Sequence, residues 1–257
     1  MSIQKILQER YHAITIEWVR YLNNPYDPER AHDLRVMIRT LRGLIKFLKR
    51  RLTTAAYTAI DTNLSQAANL FGSLRELDVL IEETGSYAYN HPDKNADYQG
   101  LLKILRDNRQ REMAHTLTEV TQSAFKKDLK NVDRQLTQLE FTQTTALHQY
   151  IVKELNRRNH KLVALFEKLD FNDYPEVHHV RKRSKTLRYA STYFADFAPN
   201  KAGKSAKLAK DIQDDTGTIT DAHVNYLRLR QLADQASEDA DKQLLRQIAD
   251  DQLKKFE

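Results

Sequence analysis

One pattern of basic residues occurs twice in the chain, in segments that begin at His32 and His178, 146 residues apart. In each copy, the histidine is followed by a cation at the third, seventh and tenth positions and by leucine at the ninth. On a helix, which turns by about 100° per residue, the four basic positions share one face within roughly 80° of arc. Like charges at these spacings oppose an isolated helix by roughly 0.2–0.5 kcal/mol per pair. The pattern therefore predicts two similar helices that meet a strongly negative partner.

We call these two sets the basic stripes. The first stripe is His32, Arg35, Arg39 and Arg42, and the second stripe is His178, Arg181, Lys185 and Arg188. Lys46 and Lys49 extend the first stripe to about 21 Å of helix. Lys182 and Tyr189 flank the second stripe, and we take all four of these added residues as candidate ligand contacts. A row of lysines then recurs every three residues at Lys201, Lys204, Lys207 and Lys210. This row is equally consistent with a solvated surface and with a binding surface, and we take Lys207 and Lys210 as candidate contacts.

An apolar row adjoins the first stripe on the helical wheel and is predicted to face the core. It consists of Leu34, Ile38, Leu41, Ile45 and Leu48. The cations therefore border the core instead of pointing away from it. An ordinary solvated face mixes acids with bases, whereas Asp33 is the only acid between Arg30 and Arg51. The first stripe is better explained as a binding surface for an anion.

Helical spacing of apolar residues extends over most of the 257 residues, and no segment alternates with a period of two for long enough to need a strand. The chain is predicted to be all-α. Asp27 before Pro28, and Asp173 before Pro175, are typical helix start signals. Helices are predicted at about 2–23, 29–51, 54–71, 73–84, 97–122, 123–138, 141–168, 176–197, 202–215, 217–235 and 238–256. Breaks are expected at residues 85–93 and at Gly217, among others.

The similarity between the two segments continues downstream of the stripes. About 30 residues after each stripe, the sequence repeats glycine, an apolar residue two positions later, an acid at four and valine at seven, in residues 72–79 and 217–224. This long-period similarity predicts two four-helix-bundle repeats, about 1–140 and about 141–257, related by a pseudo-twofold axis within a single domain spanning 1–257. Asp78 and Asp221 in these elements are expected to form internal ion pairs.

Other classes of function find little support. The chain has no cysteine, and its histidines lack the spacing of a metal site. Phosphate-binding glycine loops, nucleophile elbows and zinc-protease motifs do not occur, so no catalytic residue, metal or cofactor is predicted. The absence of a signal peptide and of a long apolar run favours a cytoplasmic protein. The net charge of +6 is concentrated in the stripes, which favours a polyanionic ligand.

The quoted motifs resemble those of the conserved histidine α-helical domain, the CHAD family. The matching segments are His-x-x-Arg-Val-x-x-Arg-x-Leu-Arg at 32–42, Gly-x-Leu-Arg-x-x-Asp-Val at 72–79 and the second copy at 178–189. The resemblance implies an all-helical, pseudo-symmetric fold with a basic central pore that binds inorganic polyphosphate. It implies that the eight stripe residues carry this contact. Thr40 departs from the family, which usually has a second basic residue there.

Two hypotheses follow for the ligand. The leading one is non-enzymatic binding of inorganic polyphosphate, as a scaffold or a module that targets polyphosphate granules. The alternative is binding of the phosphate backbone of nucleic acid by the same stripes. Some relatives carry a triphosphate tunnel domain, but the Glu-x-Glu-x-Lys motif of that domain is not found in this chain. The resemblance therefore implies no triphosphatase activity.

Overall fold

We describe a computed structural model of the chain over residues 2–93, 95–142 and 147–254. The helices are α1 (Ile3–Asn23), α2 (Pro28–Leu48), α3 (Thr54–Asn69), α4 (Gly72–Asn90), α5 (Tyr98–Thr116), α6 (Glu119–Thr137), α7 (Leu147–Phe166), α8 (Tyr174–Tyr193), α9 (Pro199–Gln235) and α10 (Asp239–Leu253). Short 3₁₀ turns follow α2 at Lys49–Arg51 and α8 at Ala195–Phe197. No strand occurs in these described ranges, which confirms the predicted all-α class.

The two helices that carry the stripes begin at the predicted signals. The Asp27 carboxylate accepts a hydrogen bond of 2.9 Å from the backbone N–H of Glu29, and Pro28 is the first residue of α2. The Asp173 carboxylate accepts one of 3.1 Å from Glu176 at the start of α8. Each carboxylate satisfies a backbone donor that the first helical turn leaves free. These caps fix where both stripes begin.

Two predicted helix breaks are wrong. Helix α4 continues through Gly85 to Asn90, and α9 runs through Gly217 as one helix of 37 residues. A glycine inside a helix costs only about 1 kcal/mol relative to alanine, so packing can outweigh it. Gly217 is buried, and a β-carbon there would lie 3.8 Å from the guanidinium of Arg181. This glycine lies beside the Arg181 side chain and does not end the helix.

The boundary predicted at residue 122 is also wrong, because α5 ends at Thr116 and α6 begins at Glu119. The Thr118 hydroxyl accepts a hydrogen bond of 3.3 Å from the N–H of Thr121, so it caps α6. Threonine is a frequent cap, and this signal outweighs the apolar periodicity that continues across it. The helices predicted at 141–168 and 238–256 include residues 143–146 and 255–256, which lie outside the described residues.

The helices enclose two apolar clusters. The larger cluster contains the fully buried rings of Tyr21, Phe47, Phe71, Phe125 and Phe194. It is formed mainly by α1, α2, α3, α6, α7, α8 and the first half of α9. The smaller cluster joins α4 and α5 to the second half of α9 and to α10. Both clusters therefore combine early and late parts of the chain, and the division into repeats at about residue 140 stays a prediction.

Helices α2 and α8 pack directly against each other near the middle of the larger cluster. The apolar row of α2 predicted to face the core is fully buried, as expected. The neighbouring stripe positions are half-buried or exposed. The fold thus places both stripes beside the core, on helices in mutual contact. Among the described residues, no helix combines the length and the apolar character that crossing a bilayer requires.

Candidate polyanion-binding site

The two basic stripes influence each other across the contact between α2 and α8. Burial lowers the pKa of Lys185 to about 7, and the next cause is the charge of Arg39 on the opposite helix. Burial also lowers the pKa of Lys46, and Lys182 of α8 is among the cations that add to this effect. Charges perturb each other in this way only over short distances. The fold therefore brings cations of the two stripes into one region.

A glycine allows the close approach of the two helices. A β-carbon at Gly43 of α2 would lie 2.8 Å from Cδ2 of Tyr189 on α8, closer than any side chain tolerates. The Arg188 guanidinium lies over the Tyr189 ring, 5.3 Å from its centroid. Tyr189, predicted as a ligand contact, therefore packs between the helices and supports a stripe arginine.

Carboxylates on neighbouring helices hold one arginine of each stripe. Arg42 binds Asp61 of α3 through contacts of 2.6 and 3.2 Å, and Lys46 Nζ lies 3.8 Å from the same carboxylate. Arg181 binds Asp221 of α9 through two contacts of 2.7 Å, which confirms the ion pair expected for Asp221. Bidentate pairs of this kind fix the plane of the guanidinium. Both arginines are therefore oriented before any ligand arrives.

Arg35 and Arg181 occupy similar places in the fold. Arg35 donates a hydrogen bond to the carbonyl of Ala68 near the end of α3. A β-carbon at Gly72 would lie 3.7 Å from the Arg35 guanidinium, and one at Gly217 would lie 3.8 Å from that of Arg181. The repeated glycines thus lie beside the first arginine of each stripe, and the duplication itself stays a prediction.

Three cations of the stripes and their flanking positions have no side-chain partner among the described residues. Within residues 2–93, 95–142 and 147–254, the side chains of Arg39, Lys182 and Lys185 form no hydrogen bond, ion pair or contact with an aromatic ring, whereas Lys49 and Arg188 each lie over a tyrosine ring. Arg39 and Lys182 are exposed, whereas Lys185 is half-buried. Half-burial of a charge without a partner is unfavourable unless a ligand supplies the opposite charge. These three side chains are therefore the strongest candidates for direct contact with an anion.

The two stripe histidines are half-buried and favour the neutral state. Burial and then the charge of Arg75 lower the pKa of His32. Burial, followed by Lys182 and the other nearby cations, lowers the pKa of His178. His178 Nδ1 is buried and has no hydrogen-bond partner among the described residues. A neutral imidazole can donate one N–H to a phosphate oxygen, and this is the chemistry that the two rings can offer.

The remaining predicted contacts lie further out. Lys49 is exposed, with its ammonium 4.7 Å from the centre of the Tyr57 ring. Lys207 and Lys210 are exposed on α9, and Lys210 pairs with Asp214 at 2.7 Å. Arg188 is among the charges that act on Lys210, so this end of the lysine row approaches the second stripe. The described residues bring together no group of three acids or histidines that could hold a metal ion, and the absence of a metal stays a prediction.

Two residues near the stripes were missed from the sequence. Arg75 of α4 acts on His32 and on Arg35, and so extends the basic region beyond the first stripe. Arg75 lies three positions after Gly72, inside the repeated element 72–79. Its place in that element was the sequence signal that could have indicated it. Asp61 is the only charged residue of α3, and an isolated acid in an uncharged helix indicates a specific partner. The other predicted acid, Asp78, forms its ion pair with Arg109, and the two charged groups are 2.6 Å apart.

The comparisons with known proteins agree with this architecture. The model of the CHAD domain matches residues 5–230. The crystal structure of the CHAD domain from the plant Ricinus communis is 20% identical, with a TM-score of 0.74, over 98% of this chain and 85% of that one. PptA from Streptomyces chartreusis is 15% identical, with a TM-score of 0.74, over 98% of this chain and 94% of that one. No curated protein sequence matches. Since the family match spans most of its length, the chain belongs to the CHAD domain family.

Proposed function

We propose that this protein binds inorganic polyphosphate along the two basic stripes and carries out no chemistry on it. One observation carries the proposal: where α2 and α8 meet, the side chains of Arg39, Lys182 and Lys185 have no partner within the part of the chain that the structure describes. Around them, Arg42 and Arg181 are oriented by carboxylates and remain able to share their outer N–H groups with a ligand. A polymer of phosphates supplies several negative charges at once, which suits such a region.

The extent of the stripes favours a linear ligand over a single small anion. From Arg35 in α2 to Lys49 at the start of the following 3₁₀ turn, the basic positions cover about 21 Å. A hydrogen bond to a charged group is worth roughly 1.5–3 kcal/mol, so a chain that makes several such contacts can bind tightly. The binding mode in this proposal is the basic central pore that the family resemblance implies. A cellular role as a scaffold or a granule-targeting module in the cytoplasm follows from it.

Nucleic acid is the second candidate, because its backbone presents phosphates to the same arginines and lysines. The test is competition at physiological salt between long-chain polyphosphate and single- or double-stranded nucleic acid for the labelled protein. We expect polyphosphate to displace nucleic acid at far lower phosphate concentration. A preference for nucleic acid, or equal displacement, would contradict the proposal.

The binding surface is tested by reversing four stripe charges, with Arg39, Arg42, Lys185 and Arg188 each changed to Glu. We expect polyphosphate binding to be lost while the helical circular dichroism remains. The matched control reverses four exposed cations of α6, namely Lys126, Lys127, Lys130 and Arg134. The control has the same change in net charge, so equal losses in both variants would indicate nonspecific attraction.

A phosphate-release assay with added divalent metal tests for chemistry, and sustained release would contradict the non-enzymatic part of the proposal.

A further inference from the structure

Lys185 lies in a setting that opposes its own charge. It is half-buried on α8, and the cations that act on it are Arg39 of α2 and Arg181 and Arg188 of α8. Asp221 of α9 is the carboxylate that acts on it, and this group already binds Arg181 through two contacts of 2.7 Å. Within the described residues, Lys185 has no hydrogen bond or ion pair of its own.

Both features of this setting disfavour an ammonium group. Burial removes water that would solvate the charge, and like charges nearby add repulsion. The same two causes lower the pKa of Lys185 from 10.5 to about 7. In the free protein near neutral pH, about half of the Lys185 side chains are therefore uncharged. A phosphate chain bound beside Arg39 and Arg188 would offset the repulsion. It would thereby raise the pKa of the Lys185 amine toward its ordinary value.

We propose that the site takes up a proton at Lys185 when a polyanion binds, so that its affinity for the polyanion rises as the pH falls. This inference rests on the proposed function and adds its regulation. The proton is taken from solvent by the ε-amine, which gains an N–H donor directed at the ligand. This arrangement also favours ligands of high charge density, since a weakly charged anion would not offset the repulsion that Arg39, Arg181 and Arg188 exert on Lys185.

The other titratable groups in the region act in a different range of pH. His178 precedes Lys185 by seven residues on α8, and His32 lies on α2. Burial and nearby cations lower the pKa of both imidazoles below 6.5. In the free protein they are thus already neutral where Lys185 loses its proton. Arg157 and Arg158 of α7 act on Arg183, whereas the charges that act on Lys185 are those of Arg39, Arg181, Arg188 and Asp221.

The direction and size of the effect follow from linkage. Below pH 7, Lys185 is charged in both the free and the bound protein, and its contribution to affinity is constant. Above pH 7, the free protein must first gain a proton, so the affinity falls with each further rise in pH. With a pKa of about 7 in the free protein, the affinity falls by about tenfold between pH 6 and pH 8. At pH 8, nearly one proton is taken up per site.

Calorimetric titration of long-chain polyphosphate at pH 8, in two buffers of different ionisation enthalpy, counts the protons taken up on binding. We expect wild type to take up nearly one proton at Lys185. Lys185→Arg keeps the charge at every pH and should bind equally at pH 6 and pH 8 without this uptake. Lys185→Gln never carries the charge and should bind weakly at both pH values, again without it. The matched control, Lys126→Arg on the exposed face of α6, should behave as wild type.

The outcomes separate this inference from the function on which it rests. Binding by wild type with no proton uptake, or with uptake that persists in both Lys185 variants, would overturn the inference and leave the proposed function intact. Failure of wild type to bind polyphosphate at pH 6 and at pH 8 would overturn the proposed function itself. The same polyphosphate is used throughout, so the titration of its own end groups cancels between variants. His178→Gln should retain the uptake at pH 8, and loss of the uptake in this variant would assign the proton to the histidine and overturn the inference.

Discussion

The ring of Tyr189 occupies the space that a side chain at Gly43 would need, with Cδ2 only 2.8 Å from the position of a β-carbon. Gly43 lies on the first stripe helix and Tyr189 on the second, so this one contact sets how closely α2 and α8 approach. Glycine normally weakens a helix interior, by about 1 kcal/mol relative to alanine. The close packing of the two stripe helices explains why a glycine is suited to this position.

Gly43→Ala should therefore destabilise the protein, although alanine favours the helix. The added methyl must displace a half-buried ring, and overpacking of this kind typically costs about 1–3 kcal/mol. Tyr189→Leu removes the ring, so in that background the same substitution should become neutral or stabilising. Urea unfolding of the four proteins gives the coupling energy, which we expect to be about 1–3 kcal/mol. Gly85→Ala is the control, because no atom of the described residues lies within 4 Å of a β-carbon there, and it should stabilise by up to about 1 kcal/mol. Additive effects of the two substitutions would contradict this account of the contact.

The buried pair of Asp78 and Arg109 should be strongly asymmetric to mutation. The two side chains are 1% and 13% exposed and lie 2.6 Å apart. Arg109→Met leaves the Asp78 carboxylate buried without a counter-ion, and we expect a loss of about 3–5 kcal/mol at pH 7. Burial already raises the pKa of Asp78 despite Arg109, and loss of the arginine raises it further. A carboxyl with a raised pKa in the folded state gains stability as the pH falls through that pKa.

The Arg109→Met variant should consequently recover part of its stability when the pH is lowered from 7 to 5. Asp78→Asn with Arg109→Met, which removes the buried charge, should be less destabilised at pH 7 than Arg109→Met alone. Denaturant unfolding at the two pH values measures both effects. If Arg109→Met alone loses the same free energy at pH 5 as at pH 7, the loss does not come from the buried carboxylate.

Glu154 of α7 should contribute to resistance against acid. It is buried, and its carboxylate accepts hydrogen bonds from Arg157 and Arg158 at 2.6 to 2.7 Å. Arg158 also donates a hydrogen bond of 3.0 Å to the carbonyl of Lys46, so this cluster ties α7 to the first stripe helix. Burial alone would raise the pKa of Glu154, but the two arginines together lower it. Its stabilisation is thus present above the ordinary pKa of glutamate and is lost as the pH falls through the lower, folded value.

Glu154→Gln should cost about 1–3 kcal/mol at pH 7, because a neutral amide accepts fewer and weaker hydrogen bonds from the arginines. At pH 3 the wild type loses part of the same stabilisation, so the difference between the two proteins should shrink. Urea unfolding at pH 7 and pH 3 provides the comparison, with Glu167→Gln on the exposed surface after α7 as the control. A difference that stays constant between the two pH values would show that ionisation of Glu154 has no part in it.

The sequence alone predicts those features that depend on local periodicity. The apolar row of α2 and the caps at Asp27 and Asp173 are examples, because spacing and side-chain chemistry within one helix determine them. The continuation of α9 through Gly217 was not predictable in this way. Gly217 is buried where α9 packs against α8, and that packing involves residues far apart in the sequence. Propensity identifies a weak point in a helix, and tertiary packing decides whether the helix ends there.

In the candidate site, too, the sequence predicts the local features and misses those that depend on tertiary contacts. Helical spacing groups Arg39 with its neighbours on one face, but it gives no partner for any of them. Only the folded chain shows that Asp61 holds Arg42, that Arg35 is directed to the carbonyl of Ala68, and that Lys185 forms no ion pair with any described residue. The two arginine contacts join residues 33 and 19 positions apart, on different helices. Patterns of spacing within one helix cannot predict contacts of this kind.

Asp61→Asn should strengthen polyphosphate binding, because Asp61 competes with the ligand for Arg42 and Lys46. Removing one negative charge several ångströms from a phosphate is worth on the order of 0.5–1.5 kcal/mol at the edge of a protein, so the Kd should fall by about two- to tenfold. Stability should fall by no more than about 1 kcal/mol, since the amide can still accept a hydrogen bond.

Asp133→Asn on the exposed face of α6 has the same change in net charge and should leave the Kd nearly unchanged. Equilibrium binding of fluorescent long-chain polyphosphate measures both variants at one salt concentration. Weaker binding by Asp61→Asn would mean that Asp61 acts mainly by positioning Arg42 for the ligand, whereas equal tightening by both variants would reduce the effect to overall charge.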